Sequence, residues 1–323
     1  MDIFFLTLTQ MLMMFTLILA GFLLRKANIL PASSDLTMSR LELYIFTPAL
    51  TLSNFMDNCN LETLKSNSVL ILYGLAIVLS AIVMATFVCR LFVKNADGDP
   101  TLEYKRNIYK YALVFSNHGF MGNFIVLGVW GSEGLFRYLM FTFLIGMICS
   151  SWGLYILIPK EKGEKPSVKN VFKKLLVPPI IALFAGIVLG LLNAKAYMPE
   201  FLLTALSNAS SCMGPVAMIL AGFVIGGYDF RELISDKKVY IATFLRLIVI
   251  PSVVVLILKA FGTPDSITTL ALVAYGCPLG LNTIVYPAAY GGETKTGASM
   301  AMISHTLSVI TIPVMYLLLI VLL

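Results

Sequence analysis

Residues 122–133 read GNFIVLGVWGSE and residues 281–293 read LNTIVYPAAYGGE. In each, an asparagine (Asn123, Asn282) opens an apolar stretch. That stretch closes on an aromatic residue and a glycine (Trp130-Gly131, Tyr290-Gly291), and a glutamate follows (Glu133, Glu293). The same polar, glycine-rich interruption thus stands twice inside strongly apolar sequence. What surrounds the two copies decides how they are read.

The chain of 323 residues is 59% hydrophobic and 12% charged, with a mean hydropathy of +0.89. A soluble domain carries about 25% charged residues. Apolar runs long enough to cross a hydrocarbon core, roughly 20 residues each, recur along the whole length. The composition therefore specifies an all-α integral membrane protein. Glycine and proline inside its spans do not argue against this, because membrane helices tolerate both. The first run, residues 3–24, has no basic n-region and no small-residue cleavage site, so it is expected to be a retained helix rather than a signal peptide. Cys59, Cys89, Cys149, Cys212 and Cys277 are scattered and follow neither disulfide nor zinc spacing. No metal or other cofactor is expected, and neither is nucleic acid as a partner: the net charge of +6 is explained by topology.

Ten spans are expected, at about 3–24, 35–56, 68–93, 108–130, 134–159, 176–194, 199–226, 238–260, 266–291 and 296–322. With these, the connections on one side and their flanking helix ends hold 18 Lys and Arg residues, whereas the other side holds four: Lys65, Arg137, Lys195 and Lys259. The positive-inside rule puts the first side in the cytoplasm and both termini outside. The plasma membrane and its lipid bilayer are the expected setting. The long basic connection at 160–175 divides the chain into five-helix repeats at 1–159 and 176–323. Because five is odd, the second repeat enters the membrane inverted, a plan common among secondary transporters. The two stretches quoted above fall in the fourth helix of each repeat. Spans two and seven also correspond, through FTPALTLSNF with Pro48 and MGPVAMILAGF with Pro215.

In hydrocarbon every backbone N–H and C=O needs a partner, so a helix is interrupted only where protein or a wet cavity satisfies it. Gly119, Gly122 and Gly280 lower the barrier to non-helical backbone, and Pro278 and Pro287 each remove a donor. Helices four and nine are therefore expected to be broken near mid-membrane and to cross at their breaks. Half-helix N-termini there favour an anion such as a carboxylate, and Asn117, Asn123, Asn282 and Thr283 add neutral donors and acceptors. The alternative, that Gly and Pro here only permit close packing or a kink, is common in membrane helices. The pairing of the motif in opposed repeats favours a substrate site.

At these residues the sequence resembles the auxin efflux carrier family, which includes plant auxin exporters and microbial carriers of malate or malonate. The motifs are Pro48-Ala49-Leu50 with Ser53, Ser116-Asn117-x-Gly119-Phe120-Met121-Gly122, Pro278-x-Gly280-x-Asn282, and Tyr290-Gly291-Gly292 followed by Ser304 and Thr311-Ile312-Pro313. The resemblance covers essentially the whole chain. It implies crossed helices four and nine, and a scaffold of helices one, two, six and seven, through which a homodimer could form. It further implies a mobile transport domain of helices 3–5 and 8–10 working as an elevator, and a fold similar to that of bile acid–sodium symporters. Phe124 stands where the family commonly has proline, Asn123 where it has an apolar residue, and His118 and His305 where it often has threonine. Auxin and malate are accordingly not carried over as substrates.

The candidate substrate-binding residues are Ser53, Asn117, His118, Gly122, Asn123, Phe124, Pro278, Gly280, Asn282 and Thr283. His305 lies about 13 Å into the last span at 1.5 Å per residue. It and His118 are the proton-coupling candidates, each against the alternative of a neutral, hydrogen-bonded histidine. Arg246 and Glu42 are also deep, and could pair or act separately. Glu133 and Glu293 are expected to open the helices that follow them. The leading function is a carrier of a small organic anion, with a proton or no coupling ion favoured over sodium. A sodium-coupled carrier, or a channel or ligand sensor on the same scaffold, is the alternative. With no nucleophile–base pair and no HExxH pattern in the spans, enzymatic activity is not expected.

Overall fold

The computed structural model describes residues 2–96, 98–159 and 178–323, and no strand occurs among them. The helices are α1 (Asp2–Lys26), α2 (Ser34–Leu41), α3 (Thr47–Asn58), α4 (Leu61–Phe92), α5 (Pro100–Val114), α6 (Asn123–Ile148), α7 (Pro178–Leu191), α8 (Glu200–Gly226), α9 (Lys237–Phe244), α10 (Ile250–Ala260), α11 (Asp265–Gly276), α12 (Asn282–Tyr290) and α13 (Lys295–Tyr316). Six helical runs are long and apolar enough to cross a membrane: Ile3–Lys26, Leu61–Phe92, Pro100–Ile156, Glu200–Gly226, Lys237–Ala260 and Lys295–Val321. Pro178–Leu191 is apolar but shorter. The remaining expected spans, 35–56 and 266–291, are helical in pieces. The basic connection 160–175 and the first residues of the sixth span lie outside the described residues.

The outer surface is apolar. On α4, Val69, Leu72, Leu79, Val83, Phe87 and Leu91 are all exposed and recur at three-, four- and seven-residue steps, which is one face of a helix. Exposed apolar faces of this extent suit lipid rather than water. Polar groups are instead gathered inside, where Ser116, Asn117, His118, Asn123, Thr283, Ser304 and His305 are buried. This is a multi-pass membrane protein.

Helix starts follow their caps rather than the limits of hydropathy. The expected third span opened at 68, but α4 begins at Leu61. Asn60 accepts from the Thr63 N–H, and the Thr63 hydroxyl accepts in return from the Asn60 N–H, closing a capping box. The expected fourth span opened at 108, yet α5 begins at Pro100, where Asp99 accepts from the N–H groups of Thr101 and Leu102. The expected second span is three pieces, because a wide π turn at Glu42–Phe46 separates α2 from α3.

Small residues set the closest approaches. Gly21 of α1 lies against the Ile219 carbonyl of α8, and Gly222 of α8 lies against the Ile18 carbonyl of α1. A Cβ built on Gly222 would come within 1.7 Å of that oxygen. Along α7, Gly186 and Gly190 let the helix settle on Phe55 and Cys59 at the end of α3. Small residues at such interfaces replace the hydrophobic drive that lipid removes. Helices α1, α8, α3 and α7 thus pack in series, each on the next, while Gly74 of α4 packs on the Phe141 carbonyl of α6.

The paired stretches behave alike. Gly131 and Gly291 both have φ +68°, a left-handed conformation that favours glycine. Gly131 interrupts α6 and redirects the chain at the boundary expected between spans four and five. Gly291 ends the helical segment after Asn282. Glu133 follows the first turn, and Glu293 Oε1 accepts from the Thr296 N–H at the start of α13, as expected of residues that open helices.

Candidate functional site

Two interruptions of helical backbone meet inside the molecule. The first separates α5 from a wide turn at His118–Gly122 that leads into α6; the Phe115 backbone is extended there. The second separates α11 from α12, with Cys277 extended immediately before Pro278. Proline disfavours helical backbone in the residue before it and cannot donate a hydrogen bond itself, so the second break is written into its local sequence. No proline stands at the first.

The first break is instead held by the second. The Asn117 N–H donates to the Pro278 carbonyl at 2.7 Å, and the Ser116 hydroxyl donates to the Ala274 carbonyl at 2.5 Å. A Cβ on Gly280 would lie 3.5 Å from the Ser116 carbonyl oxygen and 3.6 Å from Asn117 Cα, so the two backbones are in near contact. On the far side, the Leu279 N–H donates to Ser304 Oγ of α13 at 3.0 Å. Backbone groups freed by the breaks are thus taken up within the protein, as the membrane interior requires.

Around this junction stand most of the expected residues. His305 Nδ1 is 2.7 Å from the Ala301 carbonyl. A carbonyl only accepts, so Nδ1 carries the proton and Nε2 is left as an acceptor for the Asn117 amide, 3.4 Å away. The same logic puts the proton of His118 on Nδ1, 3.2 Å from the Ser116 carbonyl. Asn123 is buried with its Oδ1 lacking a partner. The Thr283 hydroxyl donates to the Gly280 carbonyl at 3.2 Å. Asn282 Nδ2 donates to the Tyr111 hydroxyl at 2.9 Å. A Cβ on Gly122 would meet the Tyr138 hydroxyl, which itself donates to the His118 carbonyl at 3.2 Å.

Two expected residues lie elsewhere. Phe124 packs its ring on Gly214 of α8. Ser53 lines a separate cavity of about 320 Å³ with Asp57, Lys195, Ser207 and Asn208. A larger cavity, about 710 Å³ between α4 and α10, has an almost wholly apolar lining that includes Ile77, Met84, Val253 and Ile257, and offers little for recognising a polar ligand. Arg246 and Glu42 do not pair. Arg246 Nη1 donates to the Leu113 and Val114 carbonyls, whereas Glu42 sits beside Thr47 and the Ala217 backbone. Tyr111, Tyr138 and Tyr275 were not expected here. In a span rich in aromatics, nothing in spacing separates a tyrosine that holds a break from one that fills the core.

Polar side chains collected at paired helix breaks, inside an apolar helical bundle, define a membrane protein of the transporter class. The chain belongs to the membrane transport protein family, that of the auxin efflux carriers, whose model matches residues 6–316. It is 26% identical over 307 residues to an uncharacterized transporter of Methanocaldococcus jannaschii, covering 93% of this chain and 95% of that one. To an uncharacterized transporter of Methanothermobacter thermautotrophicus it is 23% identical over 236 residues, 73% of this chain and 72% of the relative.

Proposed function

We propose that the protein is a secondary carrier of a small organic anion, a carboxylate, bound where helices four and nine cross. The observation that carries this reading is the hydrogen bond from the Asn117 N–H to the Pro278 carbonyl, which joins the two breaks. Each break starts a new helical segment, at His118 and at Asn282. The first N–H groups of a helix lack intrahelical partners and carry partial positive charge, which suits a carboxylate. Asn117, His118, Asn123 and Asn282 supply donors and acceptors that complete its coordination.

In this reading ten spans form two inverted repeats, with both termini outside the cell, the 160–175 connection in the cytoplasm and the plasma membrane as host. Paired left-handed glycines at 131 and 291 support the repeat. The packing in series of α1, α8, α3 and α7 supports a scaffold past which the helices bearing the breaks move as an elevator. A proton, or no ion, accompanies the substrate, and His305 is the residue through which a proton would act. Protonating its Nε2 removes the acceptor that faces Asn117, which couples protonation to the substrate site. His305→Gln is therefore expected to flatten the pH dependence of uptake into proteoliposomes while leaving the protein folded. An unchanged pH profile would exclude His305 from coupling.

Substrate class is tested by thermal shift of purified protein with mono- and dicarboxylates and indole acids. At a concentration about a hundred times its dissociation constant, the true substrate is expected to raise the melting temperature by about 4 °C. Stabilisation by amines or neutral solutes and by no carboxylate would refute the anion assignment.

A further inference from the structure

Arg246 is 3% exposed and lies within a wide π turn, Leu245–Val249, that interrupts the eighth span between α9 and α10. Its Nη1 donates to the carbonyls of Leu113 at 3.2 Å and Val114 at 3.4 Å. Those are the last two residues of α5, immediately before the first break. Its guanidinium carbon also lies 5.6 Å from the centre of the Tyr275 ring, in the last turn of α11, immediately before the second break. The arginine thus bonds to the C-terminal end of the first interrupted helix and lies against an aromatic ring from the last turn of the second. Its ionisable neighbours are Tyr111, His118, Tyr138, Tyr275 and Cys277, and none of them is a carboxylate.

A buried guanidinium without an acid is costly in a membrane unless something else offsets its charge. The C-terminus of α5, through its last two carbonyls, and the face of the Tyr275 ring contribute to that offset. The helix end carries about half a negative charge and takes up Nη1, while Nε and Nη2 have no hydrogen-bond partner among the described residues. Where interrupted helices meet in a carrier, unwound carbonyls and half-helix C-termini are also the groups that bind a coupling sodium ion. Here the carbonyls of the first break are already occupied.

We infer that Arg246 is a tethered cation, filling with a guanidinium that cannot dissociate the place at the carbonyls ending α5, beside the first break, where a free metal cation such as sodium would otherwise bind. The inference rests on the crossed-break reading but not on the identity of the substrate. Its consequence is that the ground state of the carrier is complete without sodium. The fixed charge also makes Arg246 a positioning residue for the two breaks.

The test uses purified full-length protein without any organic anion, comparing melting temperatures in sodium, potassium and choline chloride. Wild type and Arg246→Lys, which keeps a tethered charge, are expected to melt alike in all three salts. Arg246→Ala is expected to melt lower in choline and to recover by about 4 °C when sodium or low concentrations of guanidinium chloride saturate the vacated position. If the alanine variant folds only when purified with guanidinium, that too supports the assignment. Sodium-specific stabilisation of the wild type would overturn it. So would an alanine variant that is indifferent to every small cation, or one that is not recovered even with guanidinium. Because no carboxylate is present, the result stands apart from success or failure of the substrate screen.

Discussion

Asn117→Ala is expected to leave a folded, monodisperse protein whose binding and transport of its substrate are severely weakened. The residue has two separable roles. Its backbone N–H joins the two breaks through the Pro278 carbonyl, and alanine keeps that bond. Its side chain reaches His305 and faces the junction, and alanine removes it. Losing one hydrogen bond to a charged ligand costs on the order of 1.5–3 kcal/mol, or roughly 10- to 150-fold in affinity. Asn282→Ala, in the partner break, is expected to behave alike. Uptake of the stabilising carboxylate into proteoliposomes, measured with the melting temperature of each variant, checks both roles. Normal transport by both variants would refute the site assignment.

Gly222→Val is expected to give the opposite pattern, a large loss of stability unrelated to the substrate. The built Cβ at this position meets the Ile18 carbonyl at 1.7 Å and the Phe22 nitrogen at 2.9 Å. Both are backbone atoms, so no rotamer change relieves the contact and α1 must move away from α8. Gly21 and the Ile219 carbonyl belong to the same interface, so the displacement also opens that approach. Overpacking of this kind costs about 3 kcal/mol, which for a chain of this length corresponds to a fall in melting temperature of about 4 °C. Thermal unfolding in one detergent, read against wild type, checks it. A shift of less than a degree would mean that α1 and α8 are not closely packed there.

Much of the architecture was legible in the sequence because a membrane leaves the chain few options. Apolar length marked the helical segments, and the paired Trp130-Gly131 and Tyr290-Gly291 marked two turns that share the same left-handed glycine geometry. Cys277-Pro278 marked the second break by a local rule. The first break was marked more weakly, by Gly119 and Gly122, which permit non-helical backbone without requiring it. Residues 115–117 contain nothing that forbids a helix, and their path is set by bonds to Ala274 and Pro278, more than 150 positions away. Helix starts were placed too late because apolar length ignores the polar caps at Asn60 and Asp99. Arg246 was conspicuous by its depth, yet its partners are carbonyls 132 and 133 positions earlier. Every residue has a carbonyl, so no sequence pattern points to those two. Ser53 lines a separate cavity with Asp57 and Lys195, since the motif that contains it fixes its helix and not the direction of its side chain.

The most direct test of the central claim is a cryo-EM map of the protein in a lipid nanodisc with a stabilising carboxylate bound. Ligand density is expected between residues 115–118 and 277–282, in contact with Asn117 and Asn282, with helical backbone interrupted on both sides. Continuous helices through both segments, or a carboxylate bound elsewhere with the junction empty, would contradict it.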